Sequence, residues 1–278
     1  MRKISFLTML AAFIIVTGCQ KKDVTTNVTP ENECTECLTE MYKSPTGEIG
    51  TPAEGVFEGR NISYLQVDGF NVWEGDILIA PHQLNAPDPL GTITAVSSRY
   101  WPSRRIYYRF AAGLPQSAKD KFLAAANHWN QRAGFTFVQR TNQANYINVI
   151  QGSGCYSYIG MIGGRQDLSI ASGCSTGNTI HEIGHAIGLY HEQSRTDRDN
   201  YVTINFQNIT AGYEGNFNKC TSCTANGTLD FGSIMMYSSF AFSSNGQPTI
   251  VKKDGSTFSV QRTALSTNDV GIVNSRYP

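Results

Sequence analysis

Apolar and polar positions divide this chain into regions of different character. Residues 4–16 are almost uninterruptedly hydrophobic, follow Arg2 and Lys3, and stop at Val16-Thr17-Gly18-Cys19. The run is shorter than the ~20 residues a spanning helix needs and has the charged start and short apolar core of an export signal. Residues 20–55 carry few large apolar groups among Thr, Glu, Lys, Pro and Gly, which predicts a linker with little structure of its own. From 56 to 80 the apolar content rises, with Phe57, Tyr64, Leu65, Trp73, Ile77 and Leu78 able to pack onto something. Three prolines within 81–89 then predict an exposed connector.

Regular periods begin near Tyr100. Residues 106–110 read as a strand, and Ser117 is placed to cap a helix whose Phe122, Ala125, Ala126 and Trp129 fall on one face and which Gly134 ends. Residues 135–138 and 146–150 are further strands. Ser266 and Asp269 form an acidic variant of a capping box at the start of a last helix carrying Val270 and Val273. The class is a mixed α and β domain without internal repeats.

Composition sharpens this division. With 40% hydrophobic and 16% charged residues in 278, the chain suits one sizeable domain plus extra segments. Net charge is zero, yet residues 20–91 hold 4 basic and 12 acidic side chains, and 92–278 hold 16 basic and 10 acidic ones. Opposite balances suggest that the first segment packs against or steers toward the second. The expected partition is 1–18 signal, 19–91 acidic leader and 92–278 the main domain, the boundary at 91/92 being the one implied by the family resemblance given below. Val16-Thr17-Gly18-Cys19 resembles a lipobox, so Cys19 is the expected acylation site. It is also the only expected membrane attachment, on an outer-membrane or cell-surface precursor whose main domain can be released outside the cell. Setting Cys19 aside leaves six cysteines, an even number that favours disulfides in an exported chain. No nucleic-acid partner and a monomeric state are expected.

The chemistry concentrates in Thr179-Ile180-His181-Glu182-Ile183-Gly184-His185-Ala186-Ile187-Gly188-Leu189-Tyr190-His191-Glu192. Histidines four apart share a helix face, so His181 and His185 can reach one ion at about 2 Å. Gly188 lets the helix end in a conformation other residues resist, and the turn can return His191 as a third ligand. Three imidazoles and an open position fit one catalytic zinc. Glu182 stands beside the first ligand, placed to take a proton from water without ligating the ion.

The extended motif resembles the metzincins, and Ser233-Ile234-Met235-Met236-Tyr237 resembles the astacin version of their methionine turn. The resemblance runs from about Tyr100 to the C-terminus. It implies an α+β fold of two subdomains, with a twisted sheet and the active-site helix above an irregular lower part, preceded by a propeptide. It implies a zinc endopeptidase acting on proteins or peptides, made latent by its own propeptide and released by an activating protease. Met235 would lie under the metal, and Tyr237 would bind it at rest and swing to support the developing oxyanion. Astacins usually carry His where this chain has Met236.

Glu192 matches the family residue that meets the mature amino terminus, and Cys155 and Cys174 match a family disulfide. The second family disulfide lacks a counterpart, since 134–137 contains no cysteine. Cys220-Thr221-Ser222-Cys223 is expected to close a local disulfide instead, a second zinc site being the alternative. Residues 165–171, opening with Arg165, resemble the edge strand on which astacins lay substrate. Lys252 matches the residue shaping the pocket after the scissile bond. Val72-Trp73-Glu74-Gly75-Asp76-Ile77 resembles the propeptide motif whose aspartate, here Asp76, occupies the zinc position, with Cys34 and Cys37 as competing ligands. Activation cleavage would fall near Gly91-Thr92. The competing function is a surface lipoprotein that keeps a degenerate peptidase domain for binding.

Overall fold

Two Glu/Asp-Gly dipeptides shape the acidic leader. Glu58-Gly59 and Asp68-Gly69 all take positive φ, the backbone of two-residue hairpin turns whose twist matches the flanking strands. They connect β1 (Thr51–Phe57), β2 (Arg60–Val67) and β3 (Phe70–Trp73), and β4 (Ile77–Ile79) completes an antiparallel meander. The computed structural model describes residues 40–85, 99–220 and 227–277. The signal run, Cys19, Cys34, Cys37, Cys223 and Gly91-Thr92 lie outside the described residues.

The linker expected over 20–55 is corrected in its last part, because β1 begins at Thr51 and Glu40 and Tyr42 are buried. Its strand comes from pairing with β2 rather than from its own apolar content. The proline-rich connector is also partly ordered. Residues 81–83 make a short 3-10 turn in which buried Gln83 accepts the amide of Ala80 at 2.8 Å, while His82 stays exposed.

β5 (Arg105–Phe110) buries Ile106 and Tyr108 and leads into α1 (Gln116–Ala133). Pro115, not Ser117, is the helix N-cap: its ring presets φ, and its carbonyl accepts the amides of Ala118 and Lys119. Gly134 ends α1 at φ 70°, as the sequence suggests. The crossover returns β6 (Thr136–Gln139) parallel to β5, and β7 (Tyr146–Ile150) pairs parallel on the other side. β8 (Tyr156–Tyr158) and β9 (Arg165–Ser169) follow, then α2 (Thr176–Ile187). β10 (Val202–Ile204) and β11 (Ile250–Lys252) form a small antiparallel sheet in a lower part made mostly of turns, and α3 (Thr267–Arg276) closes the chain with the Ser266–Asp269 capping box in place.

The main sheet has the order β1-β2-β3-β4-β8-β9-β7-β5-β6, so leader and domain share one nine-stranded sheet. Its seam is the parallel pair β4–β8, with Ile77 opposite Ser157 and Leu78 opposite Tyr158. The largest core lies under the domain strands and joins Phe122 and Trp129 of α1 to Ile180, Ile183 and Ile187 of α2 and to Met235. A smaller core of Phe57, Ile62, Tyr64, Trp73, Ile77 and Ile79 reaches the domain at Ile159. No helix among the described residues is long and apolar enough to cross a membrane.

Candidate metal centre

α2 is buried along nearly its whole length, and its ends are pinned by distant groups. Ser175 caps its start, and Gly188 (φ 112°) stops it. Carbonyls near the C-terminus, which have no partner inside the helix, accept from side chains instead: Trp101 reaches Ala186 at 2.8 Å, and Tyr277 reaches Ile187 at 2.7 Å. Trp129 braces Ile180 at 2.9 Å. The Cys155–Cys174 disulfide ties the start of β8 to the approach to this helix.

His181 and His185 therefore stand one turn apart in fixed positions, and the chain returns after Gly188 to bring His191 beside them. His181 Nδ1 meets the carbonyl of Ile234 at 2.7 Å, and His185 Nδ1 that of Leu189 at 2.8 Å. A carbonyl only accepts, so each Nδ1 carries a hydrogen and each ring turns its Nε2 inward. The two Nε2 atoms face one another at 3.0 Å. Two imidazole nitrogens at that separation can share a cation between them.

Asp76 of the leader completes the group. Its carboxylate lies 3.2 Å from His181 Nε2, 3.5 Å from His185 Nε2 and 3.3 Å from His191 Nε2, all fully buried. Ligands held at about 2.0–2.1 Å on a tetrahedron stand about 3.3 Å apart. His191 Nε2 and Asp76 Oδ1 have no hydrogen-bond partner, as expected of atoms aimed at an ion. Asp76, His181, His185 and His191 form the only such cluster among the described residues. Three imidazoles and a carboxylate around a closed tetrahedron fit zinc.

The protein groups alone are poised against one another electrostatically. Burial pulls His185 down to about 4 despite the Asp76 charge. Burial acts the same way on His191, but Asp76 and Glu74 lift it to about 9. A cation entering the centre takes the place of that proton, so metal binding releases it. Asp76 itself lies well below the usual carboxylate range: burial opposes this, and the three histidines outweigh it.

Glu182 is fully buried and neither carboxylate oxygen has a hydrogen-bond partner. Burial, and then the negative charges of Asp76 and Glu40, push its pKa well up. An unpartnered buried carboxyl beside a ligand cluster is costly to maintain and marks a group kept for chemistry.

The Met turn supports the centre from below. A Cβ on Gly184, between the two helix histidines, would meet Met235 Sδ at 2.8 Å, so only glycine permits this approach. Asp269 holds the turn by accepting Ser233 Oγ at 2.6 Å and Ile234 N at 3.0 Å. In sequence it reads only as a cap for α3. Tyr237 packs 4.5 Å from the His191 ring, and its hydroxyl donates to the carbonyl of Glu74. Glu192 accepts Asp230 N at 2.9 Å and Arg195 at 3.3 Å, and burial raises it to about 7.

One expected placement changes. Residues 165–169 form β9, which lies between β7 and β8 and is no edge; Arg165 is exposed and bridges to Asp167. The domain strand that pairs with β4 is β8, too short and too close to Gly152 and Gly154 to show a strand pattern. Lys252 sits on β11 with its ammonium over the Phe231 ring at 5.2 Å. Arg262, one of several buried arginines, holds both carboxylate oxygens of Glu40 of the leader and also donates to Met236 O at 3.0 Å. Cys220 is buried and disulfide-bonded, whereas its expected partner Cys223 lies outside the described residues.

Comparison with known proteins now decides the family. The sequence profile described as Astacin (Peptidase family M12A) matches residues 93–278. The chain belongs to the astacin family. It is 40% identical over 200 residues to blastula protease 10 of Paracentrotus lividus, covering 66% of this chain and 33% of that protein. It is also 40% identical over 183 residues to zinc metalloproteinase nas-15 of Caenorhabditis elegans, covering 64% and 32%. The chain thus matches about a third of the length of these curated astacin relatives. The solved structure of high choriolytic enzyme 1, a hatching-enzyme zinc protease from Oryzias latipes, superposes with TM-score 0.61 at 35% identity, covering 64% of this chain and 94% of that one. Membership in this family identifies the ion that the cluster of three histidines and one aspartate fits as one catalytic zinc.

Proposed function

We propose that this chain is the latent precursor of a zinc-dependent endopeptidase that cleaves extended segments of proteins. One observation carries the reading: the Nε2 atoms of three histidines converge beside the unpartnered carboxyl of Glu182 in a chain of the astacin family. His181, His185 and His191 hold the ion. Zinc there supplies Lewis acidity, polarising the scissile carbonyl and lowering the pKa of water toward about 7. Glu182 accepts a proton at its carboxylate and returns it to the departing amine. Tyr237, once free of the Glu74 carbonyl, donates its phenol hydrogen to the carbonyl oxygen as charge develops there. Substrate backbone pairs with β8 in the place β4 now holds.

Latency follows from Asp76 in the fourth position and β4 along the cleft. Another protease would cut near Gly91-Thr92 to release the domain. Export by the 4–16 run and acylation at Cys19 belong to the same reading, supported by Val16-Thr17-Gly18-Cys19; a full chain that stays in the aqueous phase on detergent partitioning, like Cys19→Ala, would remove the anchor. The enzymatic core of the reading is tested with Glu182→Ala. After leader removal this variant should keep one zinc per chain and lose about 10²–10⁴-fold in kcat/KM. Near wild-type turnover would remove Glu182 from its role.

A further inference from the structure

The three histidines are not braced alike. His181 and His185 turn Nδ1 to carbonyls of Ile234 and Leu189, both inside the catalytic domain, and these partners stay when the leader goes. His191 Nδ1 meets Glu74 Oε2 at 2.8 Å, and Glu74 belongs to the leader. The other oxygen, Oε1, accepts Ser194 Oγ at 2.6 Å, so the carboxylate is fixed at both ends and fully buried. Glu74 adopts φ 48° and Gly75 φ 82°, a left-handed pair that turns the Glu74 side chain toward His191 and the Asp76 carboxylate toward all three rings. Gly75 cannot be replaced cheaply, since a Cβ there would meet the Phe242 ring at 2.7 Å.

We propose that Glu74 is a positioning residue for the metal: its carboxylate fixes His191 with Nε2 toward the ion, and so makes the leader-bound chain the form that captures zinc. A carboxylate behind a metal-binding imidazole fixes the tautomer, orients the ring and raises its basicity, and loss of such a partner typically weakens metal binding about 10–100-fold. The leader then does two opposite things through adjacent residues. Asp76 closes the fourth position, while Glu74 builds the third. Leader removal opens the site and at the same stroke takes away the brace on His191, so zinc is held more tightly before activation than after it.

The inference rests on the reading of His181, His185 and His191 as the ligand set, and the experiment separates the two. Zinc affinity of the full-length chain is measured by competition with a chromophoric chelator, for wild type, Glu74→Gln, Glu74→Ala and His181→Ala. The cobalt(II) form of each is examined by visible spectroscopy, and the metal-free forms by thermal melting. His181→Ala should abolish stoichiometric binding; retention of tight zinc there would sink the ligand set itself. With that control met, Glu74→Ala should weaken zinc about 10–100-fold and Glu74→Gln by less, with a changed cobalt spectrum and a loss of affinity well beyond any loss in the metal-free melt. Wild-type affinity in both Glu74 variants would overturn the proposal. So would a loss of affinity matched by an equal loss in the metal-free melt, since Glu74 would then only hold the leader in place.

Discussion

Two leader carboxylates enter the catalytic domain, and they meet opposite kinds of partner. Asp76 faces three imidazoles whose charge depends on pH and on the metal. Glu40 faces Arg262, a cation at any accessible pH, with Asn178 donating to the same carboxylate at 2.6 Å. Asp76 sits on a turn built by two left-handed residues between paired strands, whereas Glu40 lies ahead of any strand, and the amide of its neighbour Tyr42 donates to Gly75 O at 2.8 Å. On the proposed reading the difference separates two tasks of one leader: Asp76 among the metal-binding histidines would switch activity off, and the buried Glu40–Arg262 pair would hold the arm of the leader in place.

That separation orders the expected effects. Asp76→Ala should have the largest: the full-length chain becomes active before cleavage, while Cys34→Ala and Cys37→Ala stay latent, all read from peptide hydrolysis. Glu40→Ala should leave latency intact but weaken leader docking, by about 3 kcal/mol if it behaves like other broken buried pairs, read as faster release of a cleaved leader. If Glu40→Ala also frees activity in the uncleaved chain, the two tasks are one.

The smallest effect is a pH dependence. Burial pushes the Glu40 carboxyl up, but Arg262 outweighs it and leaves it below its ordinary value when docked. A lowered carboxyl stabilises docking fully above its undocked pKa, about 4.3, and loses that contribution as pH falls through the docked value. Leader release should therefore accelerate in acid. Because Asp76 acts with the same sign, the Glu40 share is the part that Glu40→Gln removes.

These two carboxylates also mark how far the sequence can be read. Asp76 is legible because its Trp-Glu-Gly-Asp surroundings resemble a family motif and because the histidine spacing announces the metal it faces. Glu40 is not: its stretch has no apolar period, and its partner Arg262 lies 222 residues away. β1 is hidden for the same kind of reason, since its strand depends on the register with β2. β5, α1, β7 and α3 are legible from their own periods, apart from the proline that caps α1. The sequence points to β9 rather than β8 as the edge strand of the domain because three residues after a glycine-rich turn carry too little pattern. The buried pairing of Arg262 with Glu40 and Met236 O has no sequence signal, because these partners lie far from it along the chain.

The central claim is that a leader carboxylate, and not a thiolate, completes the zinc site of the precursor. X-ray absorption at the zinc edge of the full-length, zinc-loaded chain tests it directly. The account predicts four nitrogen or oxygen scatterers at about 2.0–2.1 Å and no sulfur. A sulfur shell at about 2.3 Å would contradict it and pass the fourth position to Cys34 or Cys37.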